Sequence, residues 1–207
     1  MDDSSAFVAV VDDDPSMRAA LDTLLRSAGL RPKTFPSAQD FLRALPSEPP
    51  DCVVLDVRLP GKSGLELQAE LLEIDPTLSV VFITGFGDIP MSVQAMKNGA
   101  VEFLPKPFSD RALLDAVGEA SRKTREARHG RDARAETVAS YESLTRRERD
   151  VLACVARGLP NKLTAHELGI SEVTVKIHRG HVMAKMKAAS AAELVRMVEQ
   201  LRAAGKT

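Results

Sequence analysis

Acids, a hydroxyl and an amine follow abruptly on apolar runs at four places in this chain. Asp12, Asp13 and Asp14 follow FVAVV (7–11), Asp56 follows CVVL (52–55), Thr84 follows VVFI (80–83), and Lys106 closes a run that begins at Glu102. Carboxylates gathered within a few ångströms repel, and one shifts toward its neutral form unless a cation intervenes. A hard divalent ion such as Mg²⁺ takes oxygen ligands, keeps several waters and needs few carboxylates. An aspartate beside such an ion can act as a nucleophile toward phosphorus and form an acyl phosphate. The transferred group is close to metaphosphate in character, so electrostatic positioning supplies most of the catalysis. On that chemistry Mg²⁺ and Lys106 neutralise the equatorial oxygens and Thr84 donates a hydrogen bond to one of them. One aspartate after a strand is ordinarily a turn or cap residue. Four strand ends that deliver acids, a hydroxyl and an ammonium to one crevice are poorly explained that way.

The elements that must hold these residues alternate. Apolar runs at 7–11, 32–35, 52–55, 80–83 and 102–104 read as strands, and the intervening stretches 16–28, 38–45, 65–72, 90–98 and 110–122 have helical spacing. Gly29 stands just past the first helix, and Pro90 opens the fourth, where a first turn tolerates it. Continuous apolar strands alternating with helices predict a doubly wound, five-stranded parallel sheet covered on both faces. In such sheets chemistry sits at the carboxyl ends of the strands.

The 207 residues carry 28 Lys+Arg and 29 Asp+Glu, a net charge of −1 that conceals an asymmetry. Residues 1–123 have a net charge of −7, residues 124–143 are neutral, and residues 144–207 have +6. An acidic front and a basic back predict two domains with different partners, the second a nucleic-acid candidate. No run of 18 apolar residues is present, so no transmembrane span is expected, and the acidic start lacks the pattern of a secretory signal. Cys52 and Cys154 form no metal-ligand cluster, and a reducing cytoplasm is the expected location. Residues 124–143 read as an extension of the last helix that frays into a linker. Arg122/Glu126 and Arg128/Asp132 would support it by a few tenths of a kcal/mol each, roughly, and Gly130 would weaken it by about 1 kcal/mol.

Residues 144–207 read as four helices. Thr145 and Glu148 have capping-box spacing, Gly158 ends the first helix, Asn161–Leu168 forms the second, and Gly169–Ile170 a tight turn. Ser171 caps a third helix reaching about Met186, and Ala191–Leu201 forms the fourth. Two short helices joined by a glycine-containing turn in a basic domain are a helix-turn-helix signal. On the third helix Val175, Val182 and Met186 form one buried stripe, which leaves Val173, Ile177 and Gly180 facing outward. Outward Val173 and Ile177 suit apolar contact with thymine methyls. Thr174, Lys176, His178, Arg179 and Lys185 flank them within reach of phosphates, contacts that position the protein while base edges specify.

Residues 1–123 resemble the receiver domain of two-component response regulators. The resemblance rests on VDDDPSMR (11–18), LDVRLPGKSGLEL (55–67), VVFITGFGD (80–88) and EFLPKPF (102–108). It implies that Asp56 is the phosphoacceptor of a sensor histidine kinase. Asp13 and Asp56 would bind Mg²⁺ directly, Asp12 through water, and the main-chain carbonyl of Arg58 would complete the protein ligands. Lys106 would pair with the phosphoryl group, and Lys106–Pro107 would be a cis bond. Thr84 and Phe103 would be the switch pair, the threonine drawn inward and the ring turning into the space left. Asp14 is expected to cap the following helix. Phosphorylation takes Asp56 from about −1 to roughly −2. Gly85 and Gly87 make the following segment permissive, and movement there would expose a self-complementary surface on Met91, Met96 and the last strand, suited to a two-fold homodimer.

The back part resembles the LuxR-type helix-turn-helix of the FixJ/NarL group. The resemblance rests on LTRRERDVL (144–152), GLPNK (158–162), ELGISEVTVKIHRGHVMAKM (167–186) and AELVRMV (192–198). It implies that 171–186 enters the major groove of promoter DNA, that Thr174, Lys176, His178 and Arg179 touch DNA together with Asn161 and Lys162, and that the last helix pairs in the DNA-bound dimer. RNA polymerase is a further expected partner and a membrane is not. Thr164 departs from the family pattern, standing where a core aliphatic is usual; a buried unpaired hydroxyl there would cost about 1–3 kcal/mol. The expected function is phosphorylation-controlled transcription. A Mg²⁺-dependent aspartyl-phosphate phosphatase is the enzyme alternative, disfavoured by Arg58 at the place of a second acid. A DNA binder or interaction module independent of phosphorylation is the third. Autophosphorylation and slow self-dephosphorylation are the only reactions expected of the chain itself.

Overall fold

The computed structural model describes residues 5–85, 89–203 and 205–206. The chain divides into two units, Met1–Arg128 and His129–Thr207. The first unit contains β1 (Phe7–Val11), α1 (Pro15–Ser27), β2 (Arg31–Phe35), α2 (Ala38–Ala44), β3 (Cys52–Asp56), α3 (Gly64–Ile74), β4 (Val80–Thr84), α4 (Ile89–Lys97), β5 (Glu102–Pro105) and the beginning of α5 (Asp110–Glu142). All neighbouring strands are parallel, in the order β2-β1-β3-β4-β5, as the alternation of apolar runs and helical stretches predicts.

Successive residues of a strand face opposite sides, so each apolar strand feeds two cores. Ala9, Val11, Val53, Leu55, Val80 and Phe82 pack with Phe41 of α2, Leu67 and Leu71 of α3 and Ala95 of α4. Val8, Val10, Cys52, Val54, Val81 and Ile83 pack with Leu21 and Leu25 of α1 and Leu113 and Val117 of α5. Along β1, β3 and β4 the sheet is therefore dry on both faces, and the polar residues of these strands gather at their carboxyl ends, while the edge strands β2 and β5 are more exposed. Among the described residues, no helix is long and apolar enough to cross a membrane.

Helix α5 runs unbroken from Asp110 to Glu142. Tertiary contacts hold its middle. Ser79 donates its N–H to the buried Thr124 hydroxyl at 2.9 Å. Asp51 accepts the Phe7 N–H and the Arg125 guanidinium, both at 2.9 Å. Burial works against the Asp51 charge, but Arg125, the Phe7 N–H and Arg128 together hold its pKa below the ordinary carboxylate value. The Arg122–Glu126 pair forms at 2.8 Å as expected. Arg128 does not meet Asp132; it reaches back to Asp75 at 3.0 Å, and Asp132 lies 3.4 Å from Arg131. A half-buried carboxylate on the sheet side outcompetes a solvated one a turn away, because its charge is less screened.

The second unit holds the rest of α5 with α6 (Arg146–Ala156), α7 (Asn161–Leu168), α8 (Glu172–Lys185) and α9 (Ala191–Ala203). Its core joins Val151, Leu152 and Val155 of α6, Val182 of α8, Met186 just past it, and Leu194, Val198 and Leu201 of α9; Val138 and Tyr141 of α5 pack against it. The capping box forms: Glu148 N–H donates to Thr145 Oγ1 at 3.3 Å, and Thr145 N–H to Glu148 Oε2 at 2.8 Å. Gly169 ends α7 at φ +64°, a left-handed conformation that costs glycine no Cβ clash. Thr164 is buried, and its hydroxyl is not among the fully buried atoms left without a partner.

Glu148 has a second task. Its carboxylate is buried and meets Lys185 Nζ of α8 at 2.8 Å and His181 Nδ1 at 3.6 Å, so the start of α6 grips the end of α8. The Lys185 hydrogen bond, with the Thr145 N–H, pulls the Glu148 pKa down to about 2. A carboxylate depressed in the folded state stabilises the fold fully above its unfolded pKa, and that contribution disappears as pH falls through the folded value. The expected outcome is a stability gap between wild type and Glu148→Gln that narrows from pH 5 to pH 2, read by urea unfolding of the full chain; a constant gap would contradict it.

A glycine fixes the site end of the sheet. Gly64 donates its N–H to the Val57 carbonyl at 2.9 Å, and a Cβ there would collide with the backbone carbonyl of Asp56. The first turn of α3 is thus pressed onto the end of β3. Gly64→Ala should cost about 1–3 kcal/mol as an overpacking lesion, measurable as a lowered urea midpoint of the first unit.

Candidate functional site

The carboxyl ends of β1, β3 and β5 bring the acids and the lysine together. Asp12 follows β1, and its N–H donates to the Phe35 carbonyl of β2 at 3.2 Å. Its carboxylate has no solvent exposure; it accepts the Asp14 N–H at 2.8 Å and Lys106 Nζ at 2.8 Å. Asp56, the last residue of β3, accepts the Arg58 N–H at 2.9 Å and Lys106 Nζ at 2.7 Å. Lys106 thus bridges Asp12 and Asp56. Asp13 is exposed, and one oxygen from each of Asp12, Asp13 and Asp56 lies within 4.8 Å of the others. Arg58 lies in the loop after β3, its backbone beside Asp56 and its side chain exposed.

The remaining predicted residues border this cluster. Thr84 ends β4, is buried, and accepts the Lys106 N–H on its carbonyl at 2.7 Å. The Lys106–Pro107 bond is cis. Phe103 in β5 is partly buried, its ring 6.1 Å from Phe82. Asp14 caps α1, accepting the Ser16 N–H at 2.8 Å. Gly87 lies outside the described residues. On α4, Val93 and Met96 are exposed at 45% and 46%. Met91 is partly buried and packs against the core.

The electrostatics of the cluster call for a cation. Burial raises the Asp12 pKa above the ordinary value despite the hydrogen bonds from Lys106 and Asp14, and the charge of Asp56 raises it further. Burial opposes the Lys106 charge, but its bonds to Asp12 and Asp56 prevail and its pKa lies above the ordinary lysine value. With all four groups ionised, one ammonium faces three carboxylates. The residues present fit a hard divalent ion: all-oxygen donors, few carboxylates, and an exposed one, Asp13, open to solvent.

In the second unit α8 presents the predicted faces. Val175, Val182 and Met186 are buried, while Val173 and Ile177 are exposed at 69% and 54%. Lys176 and Lys162 are exposed, and Gly180 has open space where a Cβ would stand. Thr174 shares a hydrogen bond with Ser171 at 2.8 Å. His178 is partly buried, with no partner on its Nδ1. Arg179 donates to Asn161 Oδ1 at 3.1 Å, so two expected DNA contacts are tied to each other across α7 and α8. Lys185 does not stand free for phosphate, because the buried Glu148 carboxylate holds it.

Sequence reasoning missed two residues that organise these sites. Glu148 was legible only as a cap. Arg18 of α1 donates from Nη1 to the Asp12 carbonyl at 2.7 Å. The available signal for it was a cation in the early part of a helix with no acid in its first turn, a placement that the helix dipole disfavours.

The sequence and structure match known proteins over both units. The family described as "Response regulator receiver domain" matches residues 8–118, and "Bacterial regulatory proteins, luxR family" matches residues 142–198. The chain is 50% identical over 198 residues to Nodulation protein W of Bradyrhizobium diazoefficiens, covering 96% of this chain and 87% of that protein. It is 47% identical to Transcriptional regulatory protein FixJ of Azorhizobium caulinodans, covering 92% and 90%. Among solved structures, response regulator StyR superposes with a TM-score of 0.84 at 48% identity, over 95% of this chain and 100% of that one. Full-length FixJ from B. japonicum gives a TM-score of 0.59 at 41% identity, over 96% and 98%. The chain belongs to the two-component response regulators that join a receiver domain to a LuxR-type DNA-binding domain, and it is a regulator of transcription.

Proposed function

We propose that phosphorylation of Asp56 by a sensor histidine kinase switches this regulator between a resting form and a homodimer that binds promoter DNA. The observation that carries the reading is the Lys106 bridge: one ammonium within 2.8 Å of both Asp12 and Asp56, with Asp13 completing the acid cluster. Asp56 attacks the phosphorus of a phosphohistidine; the new O–P bond forms as the P–N bond breaks and the imidazole leaves. Asp12, Asp13, Asp56 and the main-chain carbonyl of Arg58 are the groups that would hold Mg²⁺, which when bound supplies positive charge to the phosphoryl oxygens. Lys106 neutralises another oxygen, and the Thr84 hydroxyl donates to a third. Arg58 stands where a phosphatase would place its second acid, so the reading is a switch with slow self-dephosphorylation and no turnover of small substrates.

The added charge on Asp56, from about −1 to roughly −2, draws Thr84 and Lys106 toward it, and Phe103 turns into the space that Thr84 leaves. The exposed Val93 and Met96 of α4, beside β5, supply the apolar part of a two-fold contact. In the DNA complex α8 enters the major groove. Val173 and Ile177 meet thymine methyls; Thr174, Lys176, His178 and Arg179, with Asn161 and Lys162 of α7, hold the phosphates. RNA polymerase is the further partner where the regulator activates, and the site of action is the cytoplasm.

Incubation with labelled acetyl phosphate should give an acid-stable, base-labile acyl phosphate in wild type and none in Asp56→Asn. Sedimentation should show a dimer only for the labelled protein; equal labelling of the variant would remove Asp56 from its role. Each lost phosphate contact reduces the slope of log K against log salt by about 0.9. Lys176→Ala should therefore bind operator DNA more weakly with a slope shallower by about that amount, and an unchanged affinity would contradict the docking of α8.

A further inference from the structure

Three carboxylates meet at the end of the sheet, and two of them are held by direct bonds. Asp12 is fixed by the Asp14 N–H and Lys106, Asp56 by the Arg58 N–H and Lys106. Asp13 is different. It is exposed, and among the described residues its carboxylate makes no hydrogen bond or ion pair. Its place within 4.8 Å of the other two is set by its backbone alone. That backbone is pinned from one side by Arg18, whose Nη1 donates to the Asp12 carbonyl at 2.7 Å. The carbonyl belongs to the peptide that joins Asp12 to Asp13. A peptide group is planar, so anchoring its oxygen fixes the plane from which the Asp13 Cα and carboxylate depart.

Arg18 lies in the second turn of α1, four residues after the capping Asp14. Among the described residues it makes no ion pair. Its one hydrogen bond goes to a main-chain carbonyl and not to a carboxylate, so its contact with the cluster is made through the backbone. A charged donor makes a stronger bond than a neutral one, which suits a guanidinium to holding a single carbonyl.

We propose that Arg18 is a positioning residue that sets the Asp13 carboxylate for a divalent cation, an inference that rests on reading the acid cluster as a cation site. The test is calorimetric titration of Mg²⁺ into the full-length chain for wild type, Arg18→Met, Arg18→Lys, Asp13→Asn and the double variant R18M/D13N. Arg18→Met keeps the aliphatic stem and removes every donor; it should weaken Mg²⁺ binding by about tenfold or more, the usual effect of losing a group that orients a ligand. Arg18→Lys, which retains a cationic donor, should recover part of the loss. Because Arg18 acts through Asp13, R18M should add little in the D13N background. Arg18→Met binding Mg²⁺ like wild type overturns the proposal, as does an equal loss in both backgrounds. A wild type that gives no binding heat at millimolar Mg²⁺ overturns the cation reading itself, and the inference falls with it.

Discussion

Two carboxylates at the end of a dry parallel sheet repel one another, and an ammonium between them is what allows both to stay. Lys106 lies 2.8 Å from Asp12 and 2.7 Å from Asp56. The central strands leave no alternative place for these groups, because both of their faces are apolar and packed. Charge can accumulate only where β1, β3 and β5 stop, and it accumulates there with the acids in excess. The imbalance is the chemically useful feature. A site that already balanced its charge would hold a hard cation less strongly.

The same economy governs the helical unit. Glu148 caps α6 with one part of its carboxylate environment and grips Lys185 and His181 of α8 with the rest. One buried acid thereby couples the start of α6 to the end of α8. The exposed face of α8 is left to two aliphatic residues, Val173 and Ile177, which water disfavours and a thymine methyl accommodates.

Much of this was readable along the chain because it depends on local chemistry. The capping box at Thr145 and the caps at Asp14 and Ser171 are decided by residues two or three apart. The glycines that end α6 and α7, Gly158 and Gly169, are decided by the need for positive φ. The buried stripe of α8 follows from a helical period, and the order of acids, hydroxyl and lysine from strands that end where polar residues begin.

The errors came where a side chain had a choice of partners. Arg128 was paired with its helical neighbour Asp132 and chose Asp75, because a less solvated carboxylate attracts it more strongly. Lys185 was assigned to phosphate and is held by Glu148. Periodicity says which way a residue faces but not what waits there. By itself the sequence determined the strands, the caps, the split of charge and the inventory of reactive groups, since these rest on spacing and residue type. Only the tertiary structure decided that Arg18 would anchor the Asp12 carbonyl, that α5 would run unbroken past Thr124, and that one lysine would serve two acids, since those bonds join residues remote in sequence or facing several competing partners.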